Sequence, residues 1–286
     1  MSPAYTKIAK IKANQVRVEL PHCCNRKQFI EPIDMLTWFE IIGYRALLHD
    51  DIQRSSSNQV VLWDYLKSAL TQINSDIPKI AIEAAISKVA YTSPEIIANL
   101  RFHQLLLNGV DVEYKLDGQI INQKVRLVDT CNLLKNDWVV IHKFTVGESN
   151  YTYNLDAVIF INGLPLAIIL RADSEYRETL KQAYLRLQSY QQLLPKLFFY
   201  NVFLVITCKN QAKVGTLTSS LRDFVPWCID GEGWTYGESS IEVLIQGLFD
   251  KRQFFELIKH SVVFEENQSC ITKKLLRYPF CTIPKS

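Results

Sequence analysis

The stretch that decides the fold runs from Phe160 to Glu175 and reads FINGLPLAIILRADSE. Its Asn162-Gly163 pair is a strong signal for a tight turn, and apolar residues flank the pair on both sides. The sequence therefore predicts two antiparallel strands joined at this turn, with Asp156 at the start of the first apolar run. A helical stripe of apolar residues follows over 176–194, and a further apolar strand, VFLVITC, covers 202–208. Strand, helix and strand in this order normally make a right-handed crossover between parallel neighbours.

Helical patterns dominate the chain before residue 110. Apolar residues recur at helical spacing in three stretches, 31–44, 61–73 and 77–90. A fourth helix is predicted from Ser93-Pro94 to Gly109, since proline favours the first turn of a helix and glycine often ends one. We therefore expect residues 1–109 to form a mostly helical N-terminal region.

From residue 110 onward the apolar residues alternate with polar ones, as is typical of β-strands. The strands beside the Asn-Gly turn are apolar almost throughout, which predicts a central sheet buried on both faces. We expect residues 110–264 to form this core and to end in helices, with a basic tail over 265–286. The predicted fold class is α/β, a central mixed sheet flanked by helices.

The composition sets only broad limits on function. The chain has 286 residues, 48% of them hydrophobic, and its 32 Lys and Arg against 29 acidic residues give a net charge of +3. That charge neither requires nor excludes a nucleic-acid partner, because a basic patch can coexist with a near-neutral total. No apolar run approaches the roughly 18 residues of a membrane span. Seven scattered cysteines without a C-x-x-C pair indicate free thiols, so we expect a cytoplasmic protein with no membrane partner.

Asp156 is the acidic residue whose position suggests chemistry. Metal-dependent phosphodiester cleavage needs carboxylates that converge on Mg2+, and a strand carrying Glu-x-Lys beside an Asp on the next strand would supply them. Here the second strand instead carries Leu170 and Ala172, which share a face but can neither ligate a metal nor carry charge. By residue chemistry alone this strand is core, and Asp156 is either a site residue or an ordinary strand-entry Asp.

Several stretches, in order along the chain, match one known family. They include NLRFHQLLLNGVDVEYK, LVDTCNLLKNDWVVIHKFTV, DAVIFINGLPLAIIL and AYLRLQSYQQLLPKLFFYNVFLVIT. From about Val61 to Phe264 the chain resembles the N-terminal domain of the R (restriction, or motor) subunit of type I restriction enzymes. The resemblance implies a restriction-endonuclease-like core of the PD-(D/E)xK type. It also implies a Mg2+-dependent deoxyribonuclease acting in phage defence, with DNA and the methyltransferase and specificity subunits as partners.

The resemblance carries over to individual positions. Asp156 matches the family Asp, whereas Leu170 stands where the metal-binding Glu is expected and Ala172 where the Lys is expected. On the following helix Tyr190 matches the Tyr of a Gln-x-x-x-Tyr pair, but Arg186 replaces the Gln. Outside this group, Glu31 on the first predicted helix falls near a further acidic position and is a second candidate metal ligand beside Asp156.

These departures predict a degenerate site. One carboxylate holds Mg2+ poorly, and the missing Lys removes charge stabilisation in the transition state. We therefore expect catalytic impairment, with weak or absent Mg2+ binding. Two alternatives stay open: an active Mg2+-dependent endonuclease with the acid relocated to Glu175 or Glu178, and a non-catalytic interaction module. The helicase domains of the R subunit are not expected in this chain, and neither is an ATP site, because no phosphate-binding loop of the Walker type occurs.

Overall fold

A computed structural model describes residues 35–90, 95–116, 118–148, 151–172, 179–208, 211–227, 240–267 and 270–276. The described strands are β1 (Arg45–Leu48), β2 (Val110–Leu116), β3 (Gln119–Val125), β4 (Trp138–Glu148), β5 (Tyr151–Ile161), β6 (Leu164–Arg171), β7 (Phe203–Cys208), β8 (Gln211–Gly215), β9 (Val225–Pro226), β10 (Val262–Asn267) and β11 (Cys270–Leu275). The described helices are α1 (Met35–Ile41), α2 (Trp63–Ile73), α3 (Lys79–Ala90), α4 (Glu95–Asn108), α5 (Leu180–Leu193), α6 (Pro195–Phe198), α7 (Ser240–Leu248) and α8 (Lys251–His260). The residues before 35, including Glu31, lie outside these ranges.

A seven-stranded mixed sheet forms the centre of the described chain, in the order β1-β4-β5-β6-β7-β8-β9. The pairs β1–β4 and β6–β7 are parallel, and the other neighbours are antiparallel. The β6-α5-β7 unit confirms the parallel crossover predicted from the sequence, and the helices beside the sheet confirm the α/β class. Two separate antiparallel hairpins, β2–β3 and β10–β11, lie outside the central sheet.

The Asn-Gly turn fixes the central hairpin. Asn162 and Gly163 both have left-handed φ values, 54° and 78°, as the type I′ turn that suits the twist of a hairpin requires. The buried Asn162 side chain donates to the Leu127 carbonyl at 2.9 Å. At Gly163 a Cβ would lie 2.9 Å from the Leu66 backbone nitrogen, so a side chain there would collide with α2. The turn is thereby held against the first turn of α2, since Leu62 N donates to Gly163 O at 2.9 Å.

The sheet is buried on both faces, as the apolar runs predict. Every residue from 157 to 170 is buried. Burying each Leu, Ile or Phe side chain of such a run contributes about 1.5–3 kcal/mol before the cost of chain entropy. No helix in the described part of the chain is long and apolar enough to cross a membrane.

Two regions differ from the sequence expectation. The helical stretch before residue 110 also contains β1, which pairs with β4 and so joins the central sheet. At the other end, the helices α7 and α8 are followed by the β10–β11 hairpin, where we expected helix and then a basic tail from residue 265. The basic residues of that stretch do not all face solvent, because Lys273 on β11 is 1% exposed. Residues 277–286 lie outside the described ranges.

Candidate functional site

Asp156 and Leu170 lie side by side on adjacent strands. The last printed pair of the β5–β6 ladder is Ala157 with Ile169, so the next position outward pairs Asp156 with Leu170. Directly opposed residues of antiparallel strands project from the same face of the sheet. The two positions that the family resemblance assigns to the Asp and the Glu are therefore neighbours.

Leu170 and Ala172 belong to the core. Both side chains are 0% exposed; Leu170 lies on β6, which pairs with β7, and Ala172 directly follows the last residue of β6. Leu170 pairs with Ile206, and the Ala172 backbone N–H donates to the Thr207 carbonyl at 2.7 Å. Neither residue offers a metal ligand or a charge, and both contribute to the packing of the sheet.

Arg186 on α5 pairs directly with Asp156. Its Nη2 donates to Asp156 Oδ2 in an ion pair and to the Arg171 carbonyl at 2.7 Å. The Arg171 backbone N–H donates to the same Asp156 oxygen at 2.8 Å. The Arg186 and Asp156 side chains are 35% and 34% exposed, so the pair lies at the rim of the core and partly in water. The Oδ2 atom of Asp156 thus accepts two hydrogen bonds, one from the Arg186 side chain and one from the Arg171 backbone.

Tyr190 lies one helical turn beyond Arg186 on the same face of α5, as residues four apart do. Its hydroxyl donates to the Asn154 carbonyl on β5 at 3.0 Å, and its ring lies 5.9 Å from that of Tyr153. Burial raises the pKa of Tyr190; Arg186 opposes this shift, while Asp156 and Tyr153 add to it. The phenol is therefore a neutral hydrogen-bond donor that ties α5 to the strand carrying Asp156.

The described residues do not fit a divalent cation at this place. Mg2+ prefers several oxygen ligands, whereas here one carboxylate is available and it is already paired with a guanidinium. No group of three or more His, Cys, Asp and Glu side chains that could hold a metal occurs in the described part of the chain. Glu175 and Glu178, the alternative acids, lie outside the described residues, as does Glu31. The structure thus brings together Asp156, Leu170, Arg186 and Tyr190. Two of these residues, Arg186 and Asp156, form an ion pair.

Lys143 on β4 is a feature of this place that the sequence did not indicate. Its neighbours pair with β5, His142 with Ala157 and Phe144 with Leu155, so Lys143 stands opposite Asp156. The pair itself is missing from the ladder, and Lys143 has a left-handed φ of 52°. Nothing in the alternation of VVIHKFTV marks this break, because Lys is not a residue typical of left-handed positions.

Comparisons with known proteins agree on one family. The family model described as "Type I restriction enzyme R protein N terminus" matches residues 30–222, a range that includes every described site residue above. The chain is 26% identical over 260 residues to the type I restriction enzyme HindI endonuclease subunit of Haemophilus influenzae, covering 87% of this chain and 24% of that protein. It is also 26% identical over 259 residues to the putative type I restriction enzyme MjaIXP endonuclease subunit of Methanocaldococcus jannaschii, covering 82% of this chain and 24% of the relative. The chain thus spans 24% of the length of each of these relatives.

Proposed function

Because the chain belongs to the family of type I restriction enzyme R protein N termini, we propose that it is a restriction-nuclease domain that binds DNA without cutting it. The observation that carries the proposal is the Arg186–Asp156 ion pair. In it a guanidinium neutralises the one family carboxylate that the chain retains. The Arg186 guanidinium would thus stand where a nuclease of this type binds a metal ion.

Two losses support the absence of cleavage. A metal ion in such a site stabilises charge on the scissile phosphate and lowers the pKa of the attacking water. Arg186 can balance the charge of Asp156, but a guanidinium cannot coordinate a water molecule as a metal ion does, so it cannot generate the attacking hydroxide. The side chains at positions 170 and 172 are apolar and buried, so no second carboxylate and no Lys stands beside Asp156 on β6.

The fold supports the same family of functions. A mixed sheet with an antiparallel hairpin, a crossover helix and a parallel strand is compatible with the PD-(D/E)xK core, and we propose that residues 110–264 form this core. The helical region before residue 110 and the stretch after residue 264 complete the proposed organisation. We propose DNA, and the methyltransferase and specificity subunits of a type I complex, as partners in phage defence in the cytoplasm. Tyr190, by holding α5 to β5, would keep Arg186 on Asp156.

Incubation with plasmid DNA tests the proposal. Purified chain, with supercoiled plasmid and Mg2+ or Mn2+, is expected to nick no faster than Asp156→Ala prepared in the same way. Both proteins should nevertheless retard the plasmid in a gel, with an affinity that falls as salt rises, because phosphate contacts release counterions.

Metal-dependent nicking that Asp156→Ala abolishes would overturn the proposal. The relocated-acid alternative has its own variant, Glu175→Gln with Glu178→Gln. If the wild-type chain cuts DNA and this double variant does not, the acid has moved to the stretch after β6. Protein that neither cuts nor binds DNA would leave only the interaction module.

A further inference from the structure

Lys143 occupies an unusual backbone position for a residue inside a long strand. Apart from Asn162 in the turn, it is the only described residue other than glycine with a positive φ. The left-handed region brings the Cβ of an ordinary L-residue close to the following carbonyl, so the conformation costs free energy. Glycine would adopt it without that cost, yet the position carries a long charged side chain.

Residues next to Lys143, on β4 and on β5, are fixed by contacts with other parts of the chain. Arg54 donates from Nη2 to the Thr145 carbonyl at 2.8 Å, and its guanidinium lies 4.6 Å from the centre of the Phe144 ring. Asn154, the partner of Thr145 on β5, is tied to α5 through the Tyr190 hydroxyl. Strained residues persist where the surrounding structure fixes them, and they concentrate at functional sites.

The Lys143 side chain is exposed, and its ammonium makes no hydrogen bond or ion pair within the described residues. Lys67, Lys124 and Lys274 are paired with acidic residues, whereas Lys135 has no such partner within the described residues either, so the left-handed backbone is what sets Lys143 apart. Lys143 stands opposite Asp156, yet the partner of that carboxylate is Arg186 on α5. Arg186 therefore balances the charge of the Asp156 carboxylate, and the positive charge of Lys143 remains available to a ligand.

We propose that Lys143 binds a phosphodiester group of DNA beside the Asp156–Arg186 pair. The inference rests on the proposed DNA-binding function and names the residue through which this site would hold the backbone. A Lys ammonium binds phosphate as a compact point charge, without sequence preference and without a metal ion. Lys143 thus supplies, from β4, a positive charge at a site where Ala172, just after β6, supplies none. A role in binding would account for a charged residue at a backbone position that costs stability.

Lys143→Gly separates binding from folding. Glycine accepts a φ of 52°, so the melting temperature should stay level or rise. Affinity for a fluorescent DNA duplex in EDTA should fall roughly fivefold, and the slope of log affinity against log salt should shrink by about 1. Lys143→Arg should keep most of the affinity. Lys143→Asn, which also tolerates left-handed backbone, provides a second variant without the charge and should bind as weakly as Lys143→Gly.

Lys135→Ala is the matched control, because Lys135 is also exposed and lies just before β4 begins, at the other end of the strand. It should leave affinity close to that of the wild type. If both Lys143 variants without the charge bind as well as the wild type, or no more weakly than Lys135→Ala, the inference fails while the DNA-binding proposal stands. If the wild-type chain shows no salt-dependent affinity for DNA, both fail. Nicking by the wild type would overturn the non-cutting proposal alone.

Discussion

Leu170→Glu is expected to lower the free energy of unfolding by about 3–5 kcal/mol near neutral pH, because it introduces an unpaired carboxylate into the core. The Leu170 side chain is 0% exposed, and its strand lies between β5 and β7. The cross-strand neighbour is Asp156, so the new carboxylate also meets a like charge. The nearby guanidinium of Arg186 already pairs with Asp156 and balances only one of the two charges.

Urea unfolding at two pH values measures this effect and its sign. Burial raises the pKa of the introduced carboxyl above its value in the unfolded chain. The folded variant then holds a proton that the unfolded chain releases, so the loss of stability grows as the pH rises from mildly acidic to neutral. Leu170→Met, which keeps the volume and adds no charge, should cost less than about 1.5 kcal/mol. Equal stability of the two variants at neutral pH would mean that position 170 still accommodates a metal ligand.

The stability of the wild-type chain should rise by about 2 kcal/mol between about pH 7 and pH 9, and Lys273→Met should remove most of this rise. Lys273 is fully buried on β11, where its Nζ donates to Asn99 Oδ1 at 2.9 Å and to the Asn201 carbonyl at 2.7 Å. Burial lowers the pKa of Lys273 to about 7. The unfolded chain keeps this proton up to about pH 10, whereas the folded chain releases it earlier, so folding becomes more favourable as the pH rises.

Chemical unfolding of both proteins across this range provides the measurement. His103, whose pKa is lowered to about 4 by burial and by Lys273, is neutral in the folded chain over this range and contributes little, because the unfolded histidine also loses most of its proton by about pH 7. Any groups that titrate alike in the two proteins cancel in the difference. Parallel curves for wild type and Lys273→Met would contradict a neutral Lys273 in the folded chain. A confirmed difference would show that the β10–β11 hairpin is anchored to α4 by an amine that functions without its charge.

The central part of the fold could be predicted because its signals are local. Asn162-Gly163 specifies the turn, and the apolar runs on either side specify strands that can be buried on both faces. Gly109, with a positive φ, ends α4 as expected. In each case a single residue type, or one period, determines the conformation.

The elements that the sequence missed depend on partners far along the chain. The four residues of β1 are too few to show a period, and they become a strand because β4 lies beside them. Lys273 belongs to a basic run that is typical of a solvated tail. It is buried because Asn99 and Asn201 supply acceptors across the fold.

The candidate site likewise has features that the sequence could indicate and features that depend on the fold. Resemblance to a family assigns positions 156, 170, 186 and 190, and the strand register and α5 do bring them together. It cannot assign the consequence of Arg186 in place of Gln, since that depends on the helix carrying the guanidinium to the Asp156 carboxylate. The left-handed φ of Lys143 had no signal at all in the sequence.

Titration of Mn2+ into the purified wild-type chain, followed by calorimetry near neutral pH, tests most directly whether Arg186 has taken the place of a metal ion. We expect no saturable binding up to about 1 mM Mn2+, because a single carboxylate that is already paired is a poor ligand set. The trace of Asp156→Ala should be indistinguishable from that of the wild type. Saturable binding by the wild type that Asp156→Ala abolishes would contradict the replacement of the metal by Arg186.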